Sequence, residues 1–437
     1  MSALPHTIAS PPLIGPVLRQ ERIEAIDILR GVAILGILIV NMNMRGFSLP
    51  EGLPAHELWP NKVDRTVEKL ILFFADEQFI TLFSFLFGLG LAVQMMRAET
   101  RGARFLPLYL RRLCVLWLIG VAHFLLLWAG DILHAYALDG FILLLFLRRS
   151  LKTLLVWAGI FLCIPLLFSG LTTYYSITRQ VNPQVVNWIS FSDPAEDQQT
   201  IEEARRIYSR GTYAEMIKFR ARDLPGEFLP GSDDTYILIG FLLGLYAGRR
   251  GIFHDVSAHL PFIRRVQGWG LVIGVAGNAA FAAGGSFDPS PTSVMENVGR
   301  MCLVFAAPAM SFFYASTIIL LTQDEAWRRR LAPLAAVGRM ALSNYLLQSL
   351  ICTMIFYSYG LALFCKVRPS LGLLLTIIIW LIQIPLSVWW LRRFQFGPIE
   401  WLWRSLTYWQ RQPMRVSASV GRERAQHAAP PTAGAVT

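Results

Sequence analysis

Residues of the kinds that move protons sit at the ends of long apolar segments in this chain. Asn41 closes the first such segment and Glu77 opens the second. His123 lies one turn before the end of the third, Asp131, His134 and Tyr136 open the fourth, and Asp139 lies deeper within it. Asp131 and His134 are three apart, so on a helix they share a face, where a carboxylate orients an imidazole and fixes the tautomer that acts as base. A base that takes a proton from an attacking hydroxyl or amine, together with an amide that bonds a developing oxyanion, is the equipment of acyl transfer. His123 is the preferred base, Asp131 its orienting partner and Asn41 the oxyanion donor, with Glu77, His134, Tyr136 and Asp139 as contacts for the substrate. Each also has a plain structural reading. His123, flanked by Val121, Ala122, Phe124 and Leu125, can bond a neighbouring carbonyl; Asp131 can cap a helix after Gly130; Glu77 can be solvated at an interface.

A second polar set lies towards the opposite ends of the segments. Asp27 and Arg30 pair at i, i+3 on the first helix. In VGRMALSNYLLQS, Asn344 and Gln348 face together four apart, with Arg339 nearer the end; GPIEWLWRSLTY adds Glu400 and Arg404. Arg30, Arg339 and Arg404 are candidates for holding the phosphates of an acyl-CoA donor, and Asn344 with Gln348 for contacting substrate. The alternative for the last two is an interhelical hydrogen-bonding pair, common in membrane bundles. No GxxxxGK[ST] loop, GxSxG elbow or HExxH occurs, and the scattered Cys114, Cys163, Cys302, Cys352 and Cys365 have no metal-ligand spacing, so no metal is expected.

The elements that position these residues belong to a bilayer. With 54% hydrophobic and only 16% charged residues over 437 positions, the chain is too apolar for an ordinary soluble protein. Its net charge of +11 lies mostly between apolar segments, which argues for membrane orientation and against nucleic acid. The expected fold is an all-α polytopic bundle of about ten spans. They are placed at Ile26–Met44, Phe79–Met96, Leu108–Trp128, Ile132–Leu147, Leu151–Thr172, Thr235–Gly248, Val266–Ala283, Val298–Leu321, Leu331–Phe356 and Leu371–Leu391. Arg and Lys recur in alternate connections, at Arg97–Arg112, Arg148–Lys152, Arg249–Arg265, Arg328–Arg330 and from Arg392 onward, which puts both termini in the cytoplasm. The expected organisation is a disordered tail over 1–21, a bundle domain over 22–410 with external loops 45–78 and 173–232, and a second disordered tail over 411–437. Within the loops, residues 63–79 fit an interfacial amphipathic helix, and 195–223, between Pro194 and Pro225, a helical cap or lid.

Five separated blocks carry a family resemblance: RIEAIDILRGVAILGILIVNM, FITLFSFLFGLGLAVQMMR, LIGVAHFLLLWAGDILHAYALDG, VGRMALSNYLLQS and GPIEWLWRSLTY. Together they resemble the YeiB-like bacterial inner-membrane proteins, domain of unknown function 418, from about Arg22 to Tyr408. The opening block is also similar to heparan-glucosaminide N-acetyltransferase and other membrane acyltransferases. In those enzymes an Asn ending the first span and a His in the next loop serve acetyl transfer. By position Asn41 matches the Asn, and His56 is the His available in the loop, in a context that departs from the pattern. The resemblance implies a multi-pass inner-membrane protein that moves an acyl group from cytoplasmic acyl-CoA to a small-molecule or glycan acceptor at the outer face, with a homo-oligomer as one possible assembly. A proton-coupled transporter or flippase, relaying protons through Asp139, Asp131 and His123, is the rival reading, and a non-catalytic scaffold the third.

Overall fold

Backbone polar groups have no water to bond within a bilayer, so apolar runs satisfy them internally as helices. The computed structural model describes residues 23–43, 47–50, 53, 55–181, 194–228, 232–287 and 294–415. Among them the order is α1 (Glu24–Asn43), α2 (Ala55–Leu58), α3 (Lys62–Phe74), α4 (Gln78–Thr100), α5 (Phe105–Leu126), α6 (Leu133–Leu144), α7 (Leu151–Val181), α8 (Pro194–Arg210) and α9 (Tyr213–Asp223). A 3-10 turn (Gly226–Phe228) precedes α10 (Ser232–Arg249), α11 (Val256–Phe287), α12 (Val294–Leu321), α13 (Glu325–Arg339), α14 (Ala341–Phe356), α15 (Pro369–Arg393) and α16 (Pro398–Tyr408). The described residues form an all-α bundle.

Among the described residues seven stretches are long and apolar enough to cross a membrane: Glu24–Met42, Lys62–Thr100, Phe105–Leu126, Leu151–Tyr174, Val256–Gly284, Val294–Leu321 and Pro369–Arg393. Three of the expected spans are not among these seven; one is the sixth, Thr235–Gly248, which falls in the 18-residue α10. Leu331–Phe356 is not one helix: Met340, at φ −115° and ψ 30°, breaks it into α13 and α14. Amphipathic α13 is started by Asp324, whose carboxylate accepts from the backbone of Ala326 and Trp327 at 2.8 and 3.0 Å. The fourth expected span shrinks to α6, only 12 residues.

Burial sorts the helices. In α1 78% of the apolar window is buried inside the protein, against 17% in α7 and 22% in α11, so α1 is central and the other two peripheral. Helix α1 packs on α4, α13 and α15, and its crossing with α13 is very close. A methyl group on Gly338 would stand 1.8 Å from the Asp27 carbonyl oxygen, so no larger residue fits there without parting the helices.

Among the described residues both expected loops carry helices. The amphipathic segment expected over 63–79 forms α3, with Asn61 accepting from the Asp64 amide at 3.0 Å. The segment expected over 195–223 forms α8 and α9, divided at Gly211, and Thr212 and Glu215 make a reciprocal capping box at the start of α9. The expected N-terminal tail lies outside the described residues. At the other end the chain is tethered beyond 411: Gln395 donates to the Met414 carbonyl at 2.9 Å and Trp401 to Gln412 at 2.7 Å.

Candidate functional site

Helices α5 and α6 run antiparallel and are joined by a tight turn. The amides of Leu127 and Trp128 both bond the His123 carbonyl, at 2.8 and 3.0 Å, closing α5 and turning the chain back. Gly120 lets α6 start against α5, because a methyl there would meet the His134 amide at 2.4 Å and an Asp131 carboxylate oxygen at 2.9 Å. Gly120→Ala should therefore displace the turn and cost about 1–3 kcal/mol, read as a lowered unfolding midpoint in detergent.

The turn places Asp131 between two imidazoles. His123 Nδ1 is 2.6 Å from Asp131 Oδ1, and His134 Nδ1 is 2.9 Å from Oδ2, which also accepts from the His134 amide at 3.0 Å. Burial alone would raise the Asp131 carboxyl; the charge and hydrogen bonds of His123, then those of His134, outweigh burial and hold it below the ordinary carboxylate range. Facing an ionised carboxylate that can only accept, each Nδ1 carries its hydrogen. In neutral His123 this leaves Nε2 as the basic atom, and Nε2 is buried without a hydrogen-bond partner. Trp128, stacked on Phe47 at 3.9 Å, meets the His123 ring edge-on at 6.3 Å, and Tyr345 of α14 lies 5.2 Å away between ring centroids.

The cap reaches this centre. His134 Nε2 is 3.5 Å from the carboxylate of Glu227, on the 3-10 turn. Arg220 of α9, fully buried, donates to the Leu125 carbonyl at 2.9 Å, with its guanidinium 5.6 Å from the rings of both Tyr208 and Tyr357. Tyr213 adds a bond to the Leu126 carbonyl at 2.8 Å. Arg220→Ala removes a charged donor and opens a void, an expected loss of about 2–4 kcal/mol that limited proteolysis across 194–228 should register as faster cleavage.

A cavity of about 280 Å³ enters the bundle from the opposite end. Five guanidinium groups line it, those of Arg30, Arg97, Arg112, Arg339 and Arg404, against the two carboxylates of Asp27 and Glu400. Arg112 lies 4.0 Å over the Trp403 ring, and Arg30 pairs with Asp27 at 3.2 Å. Further in, the walls are apolar, with Ile34, Ile37, Phe83, Phe87 and Leu116. From Ile26 to Ile37 the lining follows about 16 Å of α1 at 1.5 Å per residue. The inner end meets Ile132, Leu133, Tyr136 and Tyr345, the side chains that neighbour the His123–Asp131 pair; His123 itself does not line it.

Of the expected site residues, His123, Asp131 and His134 come together, and Arg30, Arg339 and Arg404 share the cavity. Tyr136 reaches its inner end, where its hydroxyl bonds Ser84 at 2.7 Å and the Ile80 carbonyl at 3.1 Å. Asn41 is buried at the end of α1 but makes no hydrogen bond to His123, Asp131 or His134. His56 falls in α2, and its side chain lies outside what is described. Glu77 is buried at the start of α4 with φ 61°, and Asp139 is buried in α6 with Oδ2 unpaired; neither lines the cavity.

Asn344 and Gln348 are engaged between helices. Asn344 donates to the Val337 carbonyl at 3.2 Å and to Ser387 at 3.0 Å, and Gln348 donates to Gln383 at 2.8 Å. They hold α14 against α13 and α15 and do not touch the cavity. Sequence reasoning missed Tyr345, Glu227 and Arg220 as parts of the site, and counted Arg97 and Arg112 only as orientation charges. Among the described residues no group of His, Cys, Asp and Glu is arranged to hold a metal.

Residues 247–410 match the family model described as "Protein of unknown function (DUF418)". Over 428 residues the chain is 38% identical to "Uncharacterized protein YxaH" of Bacillus subtilis (strain 168), covering 93% of this chain and 99% of that protein. It is 33% identical over 403 residues to "Uncharacterized protein YeiB" of Escherichia coli (strain K12), covering 89% and 97% respectively. No solved structure matches.

Proposed function

The chain belongs to the DUF418 family of YeiB-like membrane proteins, and from the chemistry of its own site we propose that it is a membrane acyltransferase. The acyl group comes from acyl-CoA at the arginine-lined end and passes to an acceptor at the capped end. The observation that carries this reading is the His123 Nε2 atom, buried and unpartnered, backed by Asp131 and set beyond the inner end of a cavity whose mouth is rich in guanidinium groups.

Arg97, Arg112, Arg339 and Arg404 hold the donor's phosphates, and the apolar throat takes the pantetheine arm. His123 Nε2 accepts the proton of the acceptor's hydroxyl or amine as that oxygen or nitrogen bonds the thioester carbon. Collapse of the tetrahedral intermediate breaks the C–S bond, and the leaving thiolate takes the proton from His123. Asp131 keeps the imidazole oriented and steadies its positive charge. By the Lys and Arg distribution the arginine-lined end faces the cytoplasm of a bacterial inner membrane, so the acceptor is a small molecule or glycan at the outer face.

The test is purified protein in lipid with acetyl-labelled acetyl-CoA and a cell-envelope extract. The expected result is label in an envelope component with stoichiometric release of free CoA. The second reading, a proton-coupled transporter or flippase, draws on the unpaired Oδ2 of Asp139. Solute uptake into proteoliposomes driven by a pH gradient, with no covalent change and no CoA release, would establish that reading and overturn the transferase.

A further inference from the structure

A second incompletely satisfied polar group accompanies His123 Nε2. Tyr345 is 3% exposed and lines the inner end of the cavity; its oxygen faces the Ile132 amide, but no group accepts the hydrogen of its hydroxyl. An unsatisfied buried hydroxyl costs about 1–3 kcal/mol, and native structures rarely leave one without a ligand or a mechanism to serve. The ring stands 5.2 Å from that of His123, tilted by 51°. The two rings are thus neighbours, one carrying a hydroxyl hydrogen without an acceptor and the other a nitrogen without a donor.

The two are complementary to one chemical object. An acyl carbon under attack carries a carbonyl oxygen that gathers negative charge, and it is approached by a nucleophile that must lose a proton. The nitrogen answers the second need and the phenol the first. Resting on the transferase reading above, we infer that Tyr345 is a catalytic residue whose hydroxyl donates a hydrogen bond to the thioester carbonyl oxygen and strengthens it as the oxyanion forms. This is the task the sequence alone assigned to Asn41, which makes no bond to the histidine pair. The Tyr345 proton is not transferred: it stays on the phenol while the new C–O or C–N bond forms, the C–S bond breaks and His123 carries the acceptor's proton to the departing thiolate.

The support of Tyr345 suits a positioned donor. Asn344, directly before it, is bonded to Val337 and Ser387, and Gln348, one turn on, to Gln383. Where α14 begins, Glu400 accepts from the Ser343 amide at 3.0 Å and from its hydroxyl. The backbone carrying the phenol is therefore pinned to three other helices, which lowers the reorganisation needed when charge develops.

The experiment compares wild type, Tyr345→Phe and His123→Gln in lipid, using [1-13C]acetyl-CoA as donor and hydroxylamine as a surrogate acceptor, with acetohydroxamate measured. Removing one oxyanion donor costs on the order of 10²–10³ in kcat, so Tyr345→Phe should lose that much while its KM for acetyl-CoA stays within about twofold. Isotope-edited infrared spectra supply a readout that a packing role would not move. The bound carbonyl band should lie below that of free donor in wild type and return towards it in Tyr345→Phe. If Tyr345→Phe keeps kcat within about threefold of wild type and His123→Gln is inactive, the tyrosine assignment falls and the transferase reading stands. If wild-type protein forms no acetohydroxamate, both fall.

Discussion

Replacing His123 with Gln should lower acyl-transfer kcat by about 10²–10⁴-fold and leave the acetyl-CoA affinity within about twofold of wild type, the loss expected when a positioned general base is removed. Gln keeps the polarity and much of the volume of the imidazole and can still bond Asp131, so the fold should survive. What it lacks is the basic nitrogen at Nε2. Asp131→Asn is the companion variant: an amide no longer demands hydrogen on Nδ1, so His123 can take the tautomer whose Nε2 is protonated and useless as a base. The donor's phosphates bind at the far end of the bundle, about three helical turns along α1 from the inner wall, so both effects should appear in kcat. Unchanged turnover in either variant, with labelled donor shown to bind, would remove the histidine pair from the reaction.

The second large effect is expected at the cavity mouth, in the opposite kinetic parameter. Arg97→Ala combined with Arg112→Ala should weaken acetyl-CoA binding by roughly 10²–10⁴-fold, since each bond to a charged partner contributes about 1.5–3 kcal/mol, and kcat at saturation should be preserved. The loss should shrink as salt rises, because wild-type binding to phosphates is itself screened. S-acetyl pantetheine, which has the thioester and arm but no phosphates, provides the control: its KM should respond little to the double substitution. A matching loss with both donors would mean that the arginines support the fold and not the phosphates.

Much of this architecture was legible from apolar periodicity and charge placement. The spans around α1, α4, α5, α7, α12 and α15 follow from long, predominantly apolar windows, and the amphipathic character of 63–79 anticipated α3. The break at Met340 was not legible, because Leu331–Phe356 reads as one apolar window and the kink has neither Gly nor Pro at its centre. Within the site, Asp131 and His134 are three apart in sequence, so their pairing was open to inspection, although Asp131 lies in the turn before α6 and not on its face. That His123 joins them depended on a turn as tight as Leu127–Ile132, which its Gly130 only suggested.

Long-range partners are a different matter. Glu227 meets His134 only because α9 packs on the end of α5, and no local spacing records that contact. Arg97 and Arg112 were visible as basic residues, but a charge that orients a helix and a charge that lines a cavity look alike until the neighbouring helices are placed. Asn344 and Gln348 show the converse. Their i, i+4 spacing announced a shared polar face correctly, yet that face is taken up by Val337, Ser387 and Gln383, while the adjacent Tyr345 lines the inner end of the cavity.

The central claim is that a donor entering between the arginines presents its thioester beside Tyr345 and His123. Cryo-electron microscopy of the protein in lipid with bound CoA tests this most directly. The account predicts density for the phosphates among Arg97, Arg112, Arg339 and Arg404, with the thiol at the inner end against Tyr345. A cavity that stays empty at saturating CoA, or CoA bound with its thiol turned away from α14, would contradict it.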